Sequence, residues 1–187
     1  MNLLWPSMAC LPSYRAALEQ GWSPNTVRPE AAQEDLARLD ADPEAFVASL
    51  VDREAKGAPI KLPDGTLAKR LPGYVRWMWD GAFCGFISYR WQPDTCELPP
   101  HVLGHIGYSV VPWKQGKGYA TRALALLLAE IQDMPYVELT TNLDNVPSQK
   151  VILANGGYLV ERFQKPAAYG DSEGLRYRID LPRPQAV

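Results

Sequence analysis

Gln115-Gly116-Lys117-Gly118-Tyr119-Ala120 combines residue types and a spacing suited to holding an anion. Two glycines two apart reach backbone conformations closed to other residues, and without a Cβ they let a ligand approach the main chain. Apolar residues at helical spacing begin directly after the turn: Ala123, Leu124, Leu127, Leu128 and Ile131. A helix entered this way leaves its first N–H groups unpaired, and the partial positive charge of its N-terminus adds to them. The turn is therefore a candidate cradle for a phosphate-like group.

The elements that must position this turn can be read on either side of it. Ile106, Tyr108 and Val110 alternate, Val111 closes the run and Pro112 ends it, which predicts a strand feeding the turn. Upstream, 74–79 and 83–91 flank Asp80-Gly81 and predict a hairpin. Residues 57–73, rich in proline and glycine, read as a basic loop. Leu36, Leu39, Phe46, Leu50 and Val51 predict two helices divided at Asp42-Pro43. In the first thirty residues Ser13 is placed to cap a short helix that Gly21 ends. Trp5, Tyr14 and Trp22 are too apolar for a free tail, so this arm packs on the body or borders a cleft. Downstream, strands are expected over 136–141, 158–163 and 176–181, with a helix over 146–154 capped by Asp144 or Asn145.

The bulk properties exclude several classes. Nineteen basic and 21 acidic residues give a net charge of −2, which offers no electrostatic footprint for nucleic acid. No stretch approaches the roughly 20 apolar residues of a membrane span, and the apolar start lacks the basic region of a signal peptide. Three widely spaced cysteines, Cys10, Cys84 and Cys96, suggest free thiols in a reducing compartment. The expected setting is cytoplasmic.

Three phosphate-binding patterns compete for the turn. A Walker loop requires Gly-Lys-Ser/Thr, but Tyr119 follows Gly118. A dinucleotide fingerprint requires a third glycine where Thr121 stands, and the acidic residue about 20 positions on is not suitably placed. The third pattern, Q/R-x-x-G-x-G/A, is met by Gln115-x-x-Gly118-x-Ala120. Around it, a strand ends in Val110-Val111-Pro112, a Leu/Ala-rich helix follows Thr121, and a second strand leads to Asn145-x-x-Ser148 and a helix ending at Gly156-Gly157-Tyr158. This arrangement resembles the GNAT superfamily of acyl-CoA N-acyltransferases. The resemblance is specific over about 104–163, loose over 30–103 and without counterpart over 1–30. The stretch GHIGYSVVPWKQGKGYAT is also similar to a bacterial branch described as predicted acetyltransferases.

The resemblance implies acetyl-CoA as cosubstrate, with its pyrophosphate on the N–H groups of Gln115, Gly116, Lys117, Gly118, Tyr119 and Ala120 and a hydroxyl from Thr121. It implies that the pantetheine arm lies between splayed strands near 106–111 and 137–141. Asn145 and Ser148 would stand beside the arm, and Lys150 would reach a phosphate. An N–H near Val110 or Val111 would polarise the thioester carbonyl while a neutral amine attacks directly. His105, at the head of the central strand, is the first candidate for the base because histidine titrates in the right range; Glu97, His101 and Glu138 follow. Many members carry a tyrosine seven residues after the asparagine to protonate the thiolate. Here that position is Ile152, which leaves Tyr108, Tyr119 or water as the acid. Tyr158 reads as core.

The expectation is an α/β (α+β) protein. It has a GNAT-like mixed, mostly antiparallel sheet with helices on both faces. An N-terminal helical arm covers 1–30 and an N-acetyltransferase domain covers 31–187. The expected reaction is acetyl-CoA-dependent acetylation of a primary amine on a small molecule or peptide, by a monomer or homodimer without a metal, nucleic-acid or membrane partner. The aromatic arm and hairpin either frame that amine or belong to the core. Two rival readings are a non-catalytic acyl-CoA-binding or sensing module, favoured by the missing tyrosine, and a nucleotide-binding protein using the same turn.

Overall fold

The computed structural model describes residues 1–62, 64–131 and 134–182. The chain opens on a short strand, β1 (Asn2–Leu4), and continues through three helices, α1 (Leu11–Glu19), α2 (Ala31–Ala41) and α3 (Pro43–Ser49). Helix α1 starts at Leu11, ahead of the expected cap. Ser13 serves another purpose: its Oγ accepts the Phe83 N–H at 2.8 Å and ties the helix to the sheet. Asp42 divides α2 from α3 as expected, its extended backbone breaking the helix while its carboxylate caps the next one by accepting from Ala45 N–H at 2.9 Å.

Five strands follow: β2 (Val51–Asp52), β3 (Ile60–Lys61), β4 (Leu67–Ala68), β5 (Gly73–Trp79) and β6 (Phe83–Arg90). Then β7 (Ile106–Val110) leads through a 3-10 turn (Pro112–Lys114) into α4 (Tyr119–Glu130). The chain ends with β8 (Tyr136–Asn142), α5 (Val146–Leu153), β9 (Tyr158–Gln164) and β10 (Glu173–Asp180). Two antiparallel sheets result. One has the order β1-β5-β6-β7 with β2 also on β5, the other β8-β10-β9. The small β3-β4 hairpin lies in the stretch expected to be a loop. β1 was not expected either: Asn2, Leu3 and Leu4 pair with Trp79, Met78 and Trp77.

Apolar residues separate into two clusters. Tyr14, Leu18, Leu39 and Phe46 from the first helices, with Trp22 from the turn after α1, pack with Trp77 and Phe83 of the hairpin. Leu124 and Leu127 of α4 join Met78, Ile87, Ile106, Val137, Leu139 and Tyr177 in the other. Each such side chain removed from water contributes about 1.5–3 kcal/mol. Most of the aromatic set is therefore core: Tyr14 stacks on Trp77 with centroids 5.0 Å apart, and Trp77 is fully buried. Trp5 is more open, with the Arg76 guanidinium 4.1 Å from its centroid.

A bulge in β6 makes this two-sided packing work. Met78 pairs with Gly85 but Trp79 pairs with Phe83, so one residue of β6 is extra. Phe83 and Phe86 thereby reach the first cluster while Cys84 and Ile87 reach the second. Gly85 holds φ +143°, and a Cβ there would stand 2.2 Å from Ser109 O on β7. Among the described residues no helix is long and apolar enough to cross a membrane, and all three cysteines are free thiols.

Candidate functional site

The two sheets meet at β7 and β8 and then part. His105 N–H donates to Glu138 O at 2.8 Å just ahead of β7, yet the two strands belong to different sheets. Gly104 permits the close approach: a Cβ there would lie 3.0 Å from Glu138 O and 3.3 Å from Leu139 Cα. Beyond this point lies a cavity of about 290 Å³. Ile106, Gly107 and Tyr108 form one wall; Leu139, Thr140, Thr141 and Asn142 form the other.

Register decides which backbone groups face this slot. Arg90 N–H donates to His105 O at 2.9 Å and Val111 N–H to Cys84 O at 3.0 Å. Residues 105, 107, 109 and 111 therefore turn their peptide groups toward β6, and by alternation Ile106, Tyr108 and Val110 turn theirs toward β8. This corrects one expectation. Val111 is fully buried with its N–H already engaged, so the N–H that faces the slot is that of Val110.

The glycine turn follows β7 in the chain, after the 3-10 turn. Gly116 and Gly118 adopt φ +74° and +73°, and no atom lies within 4 Å of the Cβ either would carry. The first α4 hydrogen bond runs from Arg122 N–H to Gly118 O at 3.0 Å. Among the described residues the N–H groups of Gly116, Lys117, Gly118, Tyr119, Ala120 and Thr121 have no acceptor, as the start of a helix requires. Gln115 differs from expectation. Its N–H donates to Pro112 O at 3.3 Å, and its Nε2 donates to Val110 O at 3.2 Å. It braces the turn against β7. A second brace comes from the hairpin: Asp80 accepts from Lys114 Nζ and, at 2.6 Å, from the Tyr119 hydroxyl. These two bonds hold the Asp80 carboxyl well below the usual carboxylate range. Tyr119 is thereby spent and does not serve as an acid toward the slot.

Asn145 caps α5, its Oδ1 accepting from Ser148 N–H at 3.2 Å. Both residues line the slot. The Tyr108 hydroxyl donates to Ser148 O at 3.3 Å, crossing the slot, and burial raises its pKa. Thr141 Oγ1 is buried in the same region without a partner among the described residues. Thr121 stands at the start of α4, its carbonyl accepting from Asn155 Nδ2 at 3.2 Å. Ile152, where a tyrosine was looked for, is buried at the slot's floor. Lys150 is exposed on α5 and lies outside the slot lining. Tyr158, expected in the core, is 45% exposed on β9.

His105 is not where a base must be. It is fully buried, and its Nδ1 accepts Glu138 N–H at 3.0 Å. Burial, opposed by nearby Glu138 and assisted by Arg90, lowers its pKa to about 4. The ring is thus neutral with its proton on Nε2, which faces the Cys96 carbonyl without reaching hydrogen-bond geometry. It joins the two sheets and cannot meet an incoming ammonium. Glu138 is no substitute, since Arg176 and Arg178 hold its two oxygens at 3.0 and 2.8 Å. Nor is His101, whose Nε2 lies 3.3 Å from Lys69 O; Glu97 is exposed and lies outside the slot lining.

This histidine should make the fold acid-sensitive. An unfolded histidine titrates near ~6.5, whereas the fold holds this one at about 4. Between those values the unfolded chain binds more protons. The contribution is complete above the unfolded value and is lost as pH falls toward the folded one, up to about 3 kcal/mol in all. His105→Asn, which keeps an acceptor for Glu138 N–H, should flatten the melting temperature over that window. An unchanged slope would assign the acid sensitivity elsewhere.

A larger cavity, about 610 Å³, opens on the other side of β6 and β7, between α2, β5, β6 and the loop before β5. Val27 and Tyr169 stand in the walls of both cavities, so the two adjoin. Phe86, Ser88 and Arg90 face it from β6. Sequence reasoning missed these residues. The available signal was a serine and an arginine two apart in an otherwise apolar strand, which puts both on one face.

The family model described as acetyltransferase (GNAT) domain matches residues 24–157. The chain belongs to the GNAT acetyltransferases. As a GNAT protein it is an acyltransferase with acetyl-CoA as cosubstrate. Solved structures agree on the fold. A microcin self-immunity acetyltransferase, MccE, bound to acetyl-CoA and AMP, superposes with TM-score 0.59 at 16% identity over 96% of this chain and 91% of that one. RimL, a ribosomal alpha-N-protein acetyltransferase in complex with coenzyme A, gives 0.60 at 12% identity over 96% and 93%. An acetyltransferase from Agrobacterium tumefaciens gives 0.51 at 17% over 96% and 90%. No curated protein sequence matches the chain. The mixed α/β architecture expected of a GNAT protein is the one observed.

Proposed function

We propose that this GNAT protein transfers the acetyl group of acetyl-CoA to a primary amine of a small molecule or peptide. One observation carries the reading: the unpaired N–H groups at the start of α4 follow in the chain on β7, whose residues 106–108 wall the slot, and the slot adjoins the larger cavity at Val27 and Tyr169. In this reading the pyrophosphate rests on the N–H groups from Gly116 to Ala120, with the Thr121 hydroxyl beside them. The pantetheine arm runs along the outward edge of β7, where the peptide groups of Ile106 and Tyr108 and the N–H of Val110 turn away from β6, with Asn145 and Ser148 opposite. Thr141 Oγ1 gives this polar arm a further partner.

Acetyl-CoA supplies an acyl group already activated as a thioester, so the chain's task is placement and charge. Val110 N–H lies on the side of β7 where developing negative charge on the carbonyl oxygen needs a donor. The new C–N bond forms as the C–S bond breaks, and the sulfur leaves as a thiolate. Tyr108, whose hydroxyl already points across the slot, gives its proton to the thiolate, while the extra proton on the new amide nitrogen passes to water, from which Tyr108 is reprotonated. With His105 closed off, the ammonium loses its proton to water in the open cavity. Lys150 has no part in these steps.

The test is steady-state thiol release from acetyl-CoA over a panel of primary amines. Amine-dependent release is expected. Tyr108→Phe should lower kcat on the order of 10- to 100-fold while leaving the CoA dissociation constant nearly unchanged. Tight CoA binding with no amine-dependent release would overturn the reading in favour of a sensing module. Full turnover by the variant would remove Tyr108 as the acid.

A further inference from the structure

The larger cavity contains a cation without a counter-charge. Arg90 faces it from β6, and the one hydrogen bond its guanidinium makes among the described residues runs from Nη2 to Ser88 Oγ at 3.0 Å. Every carboxylate in the same wall is already satisfied. Glu34 pairs with Arg28 at 2.5 Å. Asp35 accepts from the Tyr14 hydroxyl at 2.6 Å and stands 3.4 Å from Arg38. Asp52 accepts from the N–H groups of Lys56 and Gly57, each at 2.9 Å, with Arg70 at 3.8 Å. The remaining basic side chain in the wall, Lys61, adds to the imbalance.

The position of Arg90 matters as much as its charge. A Cβ on Gly107 would stand 3.3 Å from Arg90 Nη2, and Gly107 is part of the β7 wall of the slot. The guanidinium therefore sits at the seam where cavity and slot adjoin. Burial lowers its pKa, which marks the cost of keeping a guanidinium in this wall with no anion beside it. Its planar fork of donors suits a carboxylate or a phosphate in two-point contact.

We propose that Arg90 recognises the acceptor: the amine substrate carries an anionic group, a carboxylate or a phosphate, that pairs with the Arg90 guanidinium while the amine reaches into the slot. This rests on the acetyl-transfer reading above and narrows its acceptor to amines bearing negative charge. Polycationic amines are selected against, because a second ammonium would be pressed on Arg90. Ser88 orients the guanidinium through its hydroxyl.

The experiment pairs each anionic amine with its neutral counterpart. One arm takes ω-amino acids of increasing chain length against their amides, a second takes phosphoethanolamine against ethanolamine, and cadaverine serves as the dication. Two readouts are made: thiol release with acetyl-CoA, and calorimetric binding of the amine to protein saturated with CoA. In one arm the anionic member should exceed its neutral counterpart on the order of 100-fold in kcat/KM and in affinity. The arm in which this occurs tells carboxylate from phosphate. Arg90→Gln should erase the ratio, Arg90→Lys should keep part of it, and both should bind CoA as the native protein does. A preference for neutral or dicationic amines overturns the proposal. So does an Arg90→Gln variant that weakens charged and neutral members equally. If no amine releases thiol, the acetyl-transfer reading fails, yet the binding arm still decides: anion-selective binding lost in Arg90→Gln sustains the proposal, and its absence overturns it.

Discussion

Gly118→Asp should raise the dissociation constant for CoA by about 100-fold or more while the protein still folds. Gly118 lies in the left-handed region at φ +73°, with no atom within 4 Å of the Cβ an aspartate would bring. Aspartate enters that region more readily than most residues, so the conformational cost is about 1 kcal/mol. The carboxylate, however, stands among the N–H groups at the start of α4. There it occupies the donors itself and repels the pyrophosphate, an opposition of like charges that costs several kcal/mol; about 2.7 kcal/mol already makes a 100-fold change. Calorimetric titration with CoA checks the result, with melting temperature as the control for folding. Gly118→Ala carries at least as much backbone strain without the charge and should stay within roughly tenfold of the native affinity. An unchanged constant in the aspartate variant would remove the turn from the binding site.

The second large effect falls on stability. Gly85→Ala should cost about 3 kcal/mol or more in denaturant unfolding. Its φ of +143° is one that L residues rarely adopt, and the new methyl would meet Ser109 O at 2.2 Å. The obstruction is main chain on the neighbouring strand, so no side-chain rotation relieves it. Strand β7 must shift, which carries its slot-facing edge with it, and affinity for CoA should fall in parallel. Gly81→Ala in the adjacent hairpin turn gives the comparison. It too has positive φ, +109°, but open space around its Cβ, and should lose about 1 kcal/mol. Equal losses at the two positions would show that strain in the chain, and not the contact with β7, sets the cost.

What could be read from the sequence was local. The glycine turn and α4 were legible because a glycine pair and a 3.6-residue pattern are written into consecutive residues. Asp42-Pro43 and the Asp80-Gly81 turn were legible for the same reason. β1 was not, since Asn2-Leu3-Leu4 is too short for any periodicity and becomes a strand only by pairing with Trp77 to Trp79. The bulge was hidden because Gly85 in an apolar run can mean a bulge, a bend or close packing, and only the register with β5 decides. His105 was misjudged on the strength of its ordinary titration range. That range belongs to a solvated ring, and burial between two sheets sets a different one. Arg90 went unnoticed because its meaning depends on which carboxylates the helices bring to the same wall, and every one of those arrives already paired. The parting of β7 from β8 came from family resemblance. No feature of either strand alone announces that two neighbours will fail to form a ladder.

The brace at Asp80 has a consequence for acidity. Lys114 and Tyr119 are committed to that carboxylate before any anion arrives, so the cradle's grip comes mainly from peptide N–H groups. These neither gain nor lose protons in the range where amines do. If this cradle holds the cosubstrate as proposed, its retention should be uncoupled from pH, whereas an amine acceptor must shed a proton before it can attack. Under the proposed function, alkalinity would govern one of the two partners: the enzyme would stay charged with its acyl donor while the neutral fraction of the amine set the pace.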